Sequence, residues 1–226
     1  MTQALVLSDV SRRFGSVPVL SHLSVEIPLR GITFVVGKSG SGKSVLCRLG
    51  VGLLKPDAGT VTLLGERVDT LPERRLAALR AQVPYLVQGP ALLDWLTLAD
   101  NVALPDARAK TDGRAQEAME RVGLTAFTTR FPPEVGPGIR KRAAIARALV
   151  LAPRALLLDE PTTGLDREAA GQVNETLALL RAQGLAAIVV SHDFAALELL
   201  ADRVVEVAKG QIGYQGPKSG FSGALS

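Results

Sequence analysis

The stretch Gly37-Lys38-Ser39-Gly40-Ser41-Gly42-Lys43-Ser44 constrains this chain more than any other, because it fits the pattern G-x-x-x-x-G-K-[ST] and lies between an apolar run and a helical pattern. Residues 32–36 are β-branched and aromatic, as a buried strand requires, and residues 45–54 carry the apolar spacing of a helix. The loop therefore opens a helix. Its glycines let the backbone curl until successive N–H groups point inward, and the helix N-terminus adds partial positive charge where phosphates would sit. Lys43 is then placed to reach the β- and γ-phosphates of a nucleotide, and the Ser44 hydroxyl suits Mg²⁺, a cation that keeps most of its water.

With 226 residues, 47% of them hydrophobic, the chain can bury a substantial core in one large domain or in a domain with a sizeable insertion. The formal net charge of +4 is spread over mixed rather than blocked residues, which favours no nucleic acid. Cys47 is the only cysteine, so no disulfide forms within the chain, and its place after the phosphate loop fits a small buried side chain. The N-terminus lacks a charged-then-apolar signal layout, and no apolar run approaches the roughly 20 residues that span a bilayer. The expectation is a cytoplasmic protein that does not itself span a membrane.

Along the chain, residues 5–10 and 23–27 read as short strands joined by a turn-rich link through Gly15 and Pro18. Phe14 sits in that link, either as a core residue or as a platform for an adenine ring. His22 has no chemical neighbours in the pattern and reads as structural. A turn at residues 55–59 precedes a strand at 60–64, residues 72–79 read as a charged helix, and 83–87 as a strand delivering Gln88 to a loop. The Gln88 amide is suited to coordinating Mg²⁺ or orienting water; a solvated loop glutamine is the alternative.

From Ala91 to about Arg130 the pattern turns helical, first through Leu92, Leu93, Trp95, Leu96 and Leu98, then over residues 114–122, as a helical insertion in an α/β domain. The apolar run 92–96 is either a docking surface for a partner helix or buried under its own neighbours. Gly136 before Pro137 marks a helix start, and residues 139–149 form a helix whose Arg140, Lys141, Arg142 and Arg147 read as a solvated face. Residues 154–160 are an apolar strand ending in two acids, as when a buried strand delivers carboxylates to the ligand-binding edge of a sheet. Asp159 is placed to hold Mg²⁺ through water and Glu160 to polarise an attacking water. A helix at 167–181 leads to a buried strand at 186–190, and His192 at its end is placed to contact a γ-phosphate. Residues 201–207 and 211–214 close the sheet, and the Gly/Ser-rich stretch from Gly216 is expected to be mobile, leaving 1–216 as the domain.

Taken in order, the phosphate loop, Gln88, residues 135–139, 156–160, 164–166 and His192 resemble the ATP-binding-cassette (ABC) ATPase family over nearly the whole chain. The resemblance implies a P-loop NTPase fold of the α/β class: a mostly parallel sheet core, an N-terminal antiparallel β subdomain and a helical insertion at about residues 91–140. It implies ATP and Mg²⁺ as ligands. Phe14 matches the adenine-stacking aromatic, and Gly37, Lys38, Ser39, Gly40, Ser41, Gly42, Lys43, Ser44 and Val45 match the phosphate-binding set. Ser44, Gln88 and Asp159 match the metal set. Glu160 matches the catalytic carboxylate, His192 the switch histidine, and Gln88 also the loop that senses the membrane subunit. Two such subunits, as a homodimer or a heterodimer, would sandwich ATP on the inner face of the cell membrane, held there by separate permease subunits. Within the family, residues 42–45 and the Leu-Thr-x-x-x-Asn-Val-Ala-x-Pro run at 96–105 look like the Mla-type ATPases of phospholipid and sterol transport, which implies a lipid-binding component. The stretch around Trp95 is also similar to importers of the nitrate, sulfonate and taurine type.

One motif departs from the family. The signature Leu-Ser-Gly-Gly-Gln, through which Gly136 and Gly138 would face the ATP of the opposite subunit, here reads Val135-Gly136-Pro137-Gly138-Ile139. Gly136 lacks the hydroxyl that would meet the γ-phosphate, and Pro137 lacks an N–H. Each lost charge-assisted hydrogen bond is worth roughly 1.5–3 kcal/mol, enough to weaken a closed sandwich. Two further readings follow: a regulatory cassette that binds ATP with little turnover, against which Glu160 and His192 count, and a cassette working on ribosomes or DNA, for which the chain has neither a tandem repeat nor a long basic run.

Overall fold

The computed structural model describes residues 4–222. β1 (Ala4–Phe14) and β2 (Val17–Pro28) form an antiparallel hairpin, extended by β4 (Ala58–Leu63) and β5 (Glu66–Arg67) into a four-stranded sheet of order β2-β1-β4-β5. The six-stranded main sheet has the order β10-β9-β3-β8-β7-β6, from β3 (Ile32–Val36), β6 (Tyr85–Leu86), β7 (Ala155–Asp159), β8 (Ala186–Val190), β9 (Arg203–Ala208) and β10 (Gln211–Pro217). All its pairings are parallel except β10 on β9. Every residue of β3, β7 and β8 is buried, because both faces of the sheet are covered at these central strands.

The period of a strand divides the core in two. Phe34, Val36, Leu156 and Leu158 point into one cluster, while Val35, Leu157, Ile188 and Val190 point into the other. The first cluster lies under α3 (Leu98–Ala103), α4 (Arg114–Arg121), α5 (Pro137–Leu149), α6 (Arg167–Ala182) and α7 (Phe194–Leu200). The second is closed by the antiparallel sheet with α1 (Lys43–Gly50) and α2 (Glu73–Gln82), and it takes in Cys47, which is fully buried.

Several expectations are corrected. β1 and β2 are far longer than the short strands read from the pattern, since register shifts at Leu7/Val10 and Val10/Arg12 break the alternation that marks a strand. Phe14 accordingly ends β1 rather than lying in a link, and His22 has a partner, its Nδ1 lying 2.8 Å from Asp9 Oδ1. Residues 91–97 are not helical. Asn101, fully buried, replaces the helix there: its amide donates to the carbonyls of Leu93, Leu96 and Thr97, and its Oδ1 accepts the Leu93 N–H at 2.7 Å. The basic residues of α5 do not form a solvated face, because Arg142 donates to Val122 O and Gln172 Oε1, and Arg147 to Pro90 O and Ala91 O. The chain beyond Gly216 stays packed as far as Phe221, whose ring lies 5.4 Å from that of Tyr214, while Lys218 pairs with Glu198 at 2.7 Å. The rest of the expected tail, 223–226, lies outside the described residues.

Candidate active site

Four neighbouring strands of the parallel sheet end on one side of the molecule, and each delivers a piece of the site: β3 the phosphate loop, β8 His192, β7 Asp159 and Glu160, and β6 Gln88. This is the edge at which open parallel sheets bind ligands. A cleft of about 690 Å³ there is lined by Phe14, Gly37, Ser39, Gly40, Gly42, Lys43, Ser44, Val45, Gln88, Glu160 and His192, together with Val19 and Thr163.

The loop curls as the motif demands. Gly37 has φ 145°, and a Cβ there would lie 2.2 Å from Val207 O, so only glycine lets the loop leave β3 at this angle. Lys43 Nζ donates to Gly37 O at 2.7 Å and Lys38 O at 3.0 Å, which bends the ammonium across the loop and leaves its third N–H for an anion. Burial pushes the Lys43 ammonium below its ordinary value, and the charges of Glu160 and then Asp159 oppose that. Ser41 N–H donates to Lys38 O at 3.1 Å, and the buried Ser41 Oγ has no protein partner. A curled backbone, a free hydroxyl and a buried cation fit a nucleotide's phosphates.

At the centre lies Asp159, only 6% exposed, whose Oδ1 accepts from Ser44 Oγ at 3.1 Å and whose Oδ2 accepts from the Tyr85 hydroxyl at 2.6 Å. Burial first, and then the bond to Asp159, hold the Tyr85 phenol well above its ordinary value, so it remains a donor. No cluster of three or more His, Cys, Asp or Glu side chains able to hold a metal exists among the described residues. A hydroxyl, a carboxylate and the Gln88 amide are hard oxygen donors, the set that fits Mg²⁺ held largely by water and phosphate.

Glu160 is fixed on all sides. Its φ of 52° is unusual for a side-chain-bearing residue, the sort of strain that collects at functional positions. Its N–H donates to Val190 O at 2.8 Å, and its carbonyl accepts from Lys141 Nζ at 3.3 Å. Its Oε2 accepts from Thr163 Oγ1 at 2.8 Å and lies 2.9 Å from His192 Nδ1. Lys141 also donates to Gln88 O, tying α5 to both segments, and burial lowers its ammonium against the opposing pull of Glu160. Phe14 is 45% exposed in the cleft, with the Arg12 guanidinium 5.0 Å from its ring centroid and Arg12 itself held by Asp57 at 2.6 Å.

Gly136 and Gly138 are not brought to this cleft. Gly136 is exposed at the N-cap of α5, and Gly138 is buried two residues on, within the first turn, where an added Cβ would lie 2.9 Å from Ala169 Cβ of α6. The residues that pattern reading missed are Tyr85, Thr163 and Lys141. A tyrosine on a strand that enters the sheet needs a partner for its hydroxyl, which was the one available signal for the half-buried Tyr85; the partner itself depends on the β6–β7 register.

Fold and site together define a P-loop nucleotide-binding protein built on an ABC ATPase fold, with an antiparallel β subdomain beside a mixed sheet and helices. The family described as ABC transporter matches residues 20–163, and the chain belongs to that family. It is 37% identical over 220 residues to the methionine import ATP-binding protein MetN of Mesorhizobium japonicum, covering 93% of this chain and 60% of the relative. It is 34% identical over 218 residues to the sulfate/thiosulfate import ATP-binding protein CysA of Mycobacterium tuberculosis, covering 94% and 61%. To the glutamate transport ATP-binding protein GluA of Corynebacterium glutamicum it is 35% identical over 214 residues, covering 91% and 87%. The chain thus spans about three fifths of the length of the MetN and CysA relatives. Among solved structures it is similar to the dimeric ATP-binding cassette MJ0796 bound to ADP and Pi, with TM-score 0.83 and 26% identity over 96% of this chain and 100% of that one.

Proposed function

We propose that this chain binds ATP with Mg²⁺ and hydrolyses it as the energy-supplying subunit of a membrane importer, with the permease carried by other chains. The observation that carries this reading is the convergence of Lys43, Ser44, Glu160 and His192 on one cleft, with Asp159 bonded to Ser44 beneath it. Lys43 and the loop N–H groups bind and orient the phosphates. Bound Mg²⁺ would neutralise charge on those phosphates, with Ser44 and Asp159 placed to hold it. Glu160, one oxygen of its carboxylate committed to Thr163 and His192, is oriented to take a proton from water with the other. Gln88 lines the same cleft, so the loop after β6 is positioned to report a permease contact to the site. No helix among the described residues is long and apolar enough to cross a membrane, so attachment to the inner face of the membrane would run through the permease.

The named relatives support a small-solute importer of the amino-acid or sulfate kind over a lipid transporter. The run at 96–105 that pointed to lipid transport has a local explanation: Thr97 caps α3 by accepting the Asp100 N–H, and Asn101 holds the preceding loop. A lipid-binding component is therefore not part of this reading. The reading of a regulatory cassette keeps one observation in its favour, the hydroxyl missing at Gly136. An added Cβ there meets nothing within 4 Å, so the change is one of chemistry and not of space.

The test is phosphate release from ATP with Mg²⁺ by the parent and by Glu160→Gln. The variant should bind ATP as the parent does and turn over at least about tenfold more slowly, a conservative bound for a general base. Equal turnover would remove Glu160 from the reaction.

A further inference from the structure

Among the described residues, Tyr85 is the one side chain hydrogen-bonded to Asp159 that the nucleotide site does not use. It stands on β6, paired in parallel register with β7 so that Tyr85 lies opposite Leu157, and its ring reaches forward along the sheet to the carboxylate at the end of that strand. The Asp159 carboxylate is gripped at both oxygens, at 3.1 Å by Ser44 Oγ and at 2.6 Å by the Tyr85 hydroxyl. Ser44 belongs to the phosphate loop and would turn its hydroxyl to the cation when nucleotide and metal bind. Tyr85 belongs to the scaffold and has no such second role. Of the two grips, only Tyr85's remains to fix the carboxylate plane at the moment the cation must be held.

We propose that Tyr85 is a positioning residue for the cation: its hydroxyl holds Asp159 Oδ2 and so turns Oδ1 toward the Mg²⁺ that accompanies the nucleotide. The proposal rests on the nucleotide reading of the cleft. Partners that orient a metal-binding carboxylate typically contribute 10–100-fold to metal affinity, and because Asp159 acts through water the lower end applies. Tyr85→Phe removes a single oxygen and keeps the ring and its packing, so the consequence for nucleotide affinity falls on its Mg²⁺-dependent part.

The experiment is an equilibrium titration of the full chain with a fluorescent, slowly hydrolysed ATP analogue, once with Mg²⁺ and once with EDTA. It covers the parent, Tyr85→Phe, Asp159→Asn and the double variant, with thermal unfolding without nucleotide as the check on folding. In the parent Mg²⁺ tightens binding; in Tyr85→Phe that gain shrinks about tenfold while the affinity in EDTA stays at the parent's value, and unfolding stays a single cooperative transition whose midpoint falls only by the loss of one hydrogen bond. In the Asp159→Asn background the second substitution changes nothing further, because Tyr85 acts through that carboxylate. An intact Mg²⁺ gain in Tyr85→Phe, an equal loss with and without Mg²⁺, or a further loss in the Asp159→Asn background would each overturn the assignment. A parent that binds no nucleotide in either condition overturns the nucleotide reading itself, and with it this role.

Discussion

Phe14 shows what a single residue contributes and how far it can be read ahead. Its place in the cleft was expected from the resemblance, but the Arg12 guanidinium near its ring and the Asp57 carboxylate that holds Arg12 come from a strand pairing and a turn far apart in the chain. A ring held in this way would suit a base stacked on it, the role proposed for it by the resemblance. Stacking of a base on an aromatic side chain is worth about 1–3 kcal/mol. Phe14→Ala should therefore weaken ATP binding by roughly 5–150-fold while leaving inorganic triphosphate binding near the parent's, as competition against a labelled nucleotide would measure. Equal loss for both ligands would place the base elsewhere. The same contrast holds across the site: the sequence motifs named Lys43, Ser44, Asp159 and Glu160 directly, whereas Tyr85 and Lys141 reach the site through contacts distant in sequence and Thr163 through a local turn that pattern does not mark.

Elements were legible where their burial is uniform. β3, β7 and β8 are buried at every position and were found almost to the residue, and α6 and α5 start and stop near where their caps and proline suggested. Pattern failed where polar side chains do the work of backbone: Asn101 replaces a helix over residues 91–97, and the shifts in β1 hide its length. The helical insertion is likewise pinned by polar groups. The Arg114 guanidinium, with Arg108, holds the Asp106 carboxyl well below the usual carboxylate range, and Lys110, with Thr97, lowers Asp100. Because these folded values lie below the unfolded ones, the unfolded chain binds more protons in acid, and stability rises with pH. The contribution is complete above the ordinary aspartate value of about 4 and is lost as pH falls through the depressed folded value. Asp106→Asn should accordingly lower the urea midpoint by a constant amount from pH 7 to 5, and the gap to the parent should close in stronger acid. A gap that widens in acid contradicts the pairing.

For the whole molecule, the cleft is lined by most of the phosphate loop with Glu160 and His192, while the α5 N-terminus that would face a partner's nucleotide lies away from the cleft and is chemically sparse. Closure of two copies over ATP should be weak in the isolated protein. Gly136 occupies an N-cap position with open space around it, so a serine there fits and also caps the helix, a position where it is favoured. Gly136→Ser with Pro137→Gly should make ATP-dependent dimers form more readily in a Glu160→Gln background, as sedimentation would record. A parent that dimerises equally well would mean the N–H groups around Gly138 suffice. All of this depends on the phosphate loop holding the nucleotide, and the measurement that bears on it most directly is equilibrium binding of labelled ATP with Mg²⁺ to the parent and to Lys43→Ala. Loss of one charge-assisted contact, about 1.5–3 kcal/mol, predicts that Lys43→Ala binds at least about tenfold more weakly. Binding as tight as the parent's, at matched Mg²⁺ and salt, would contradict the account.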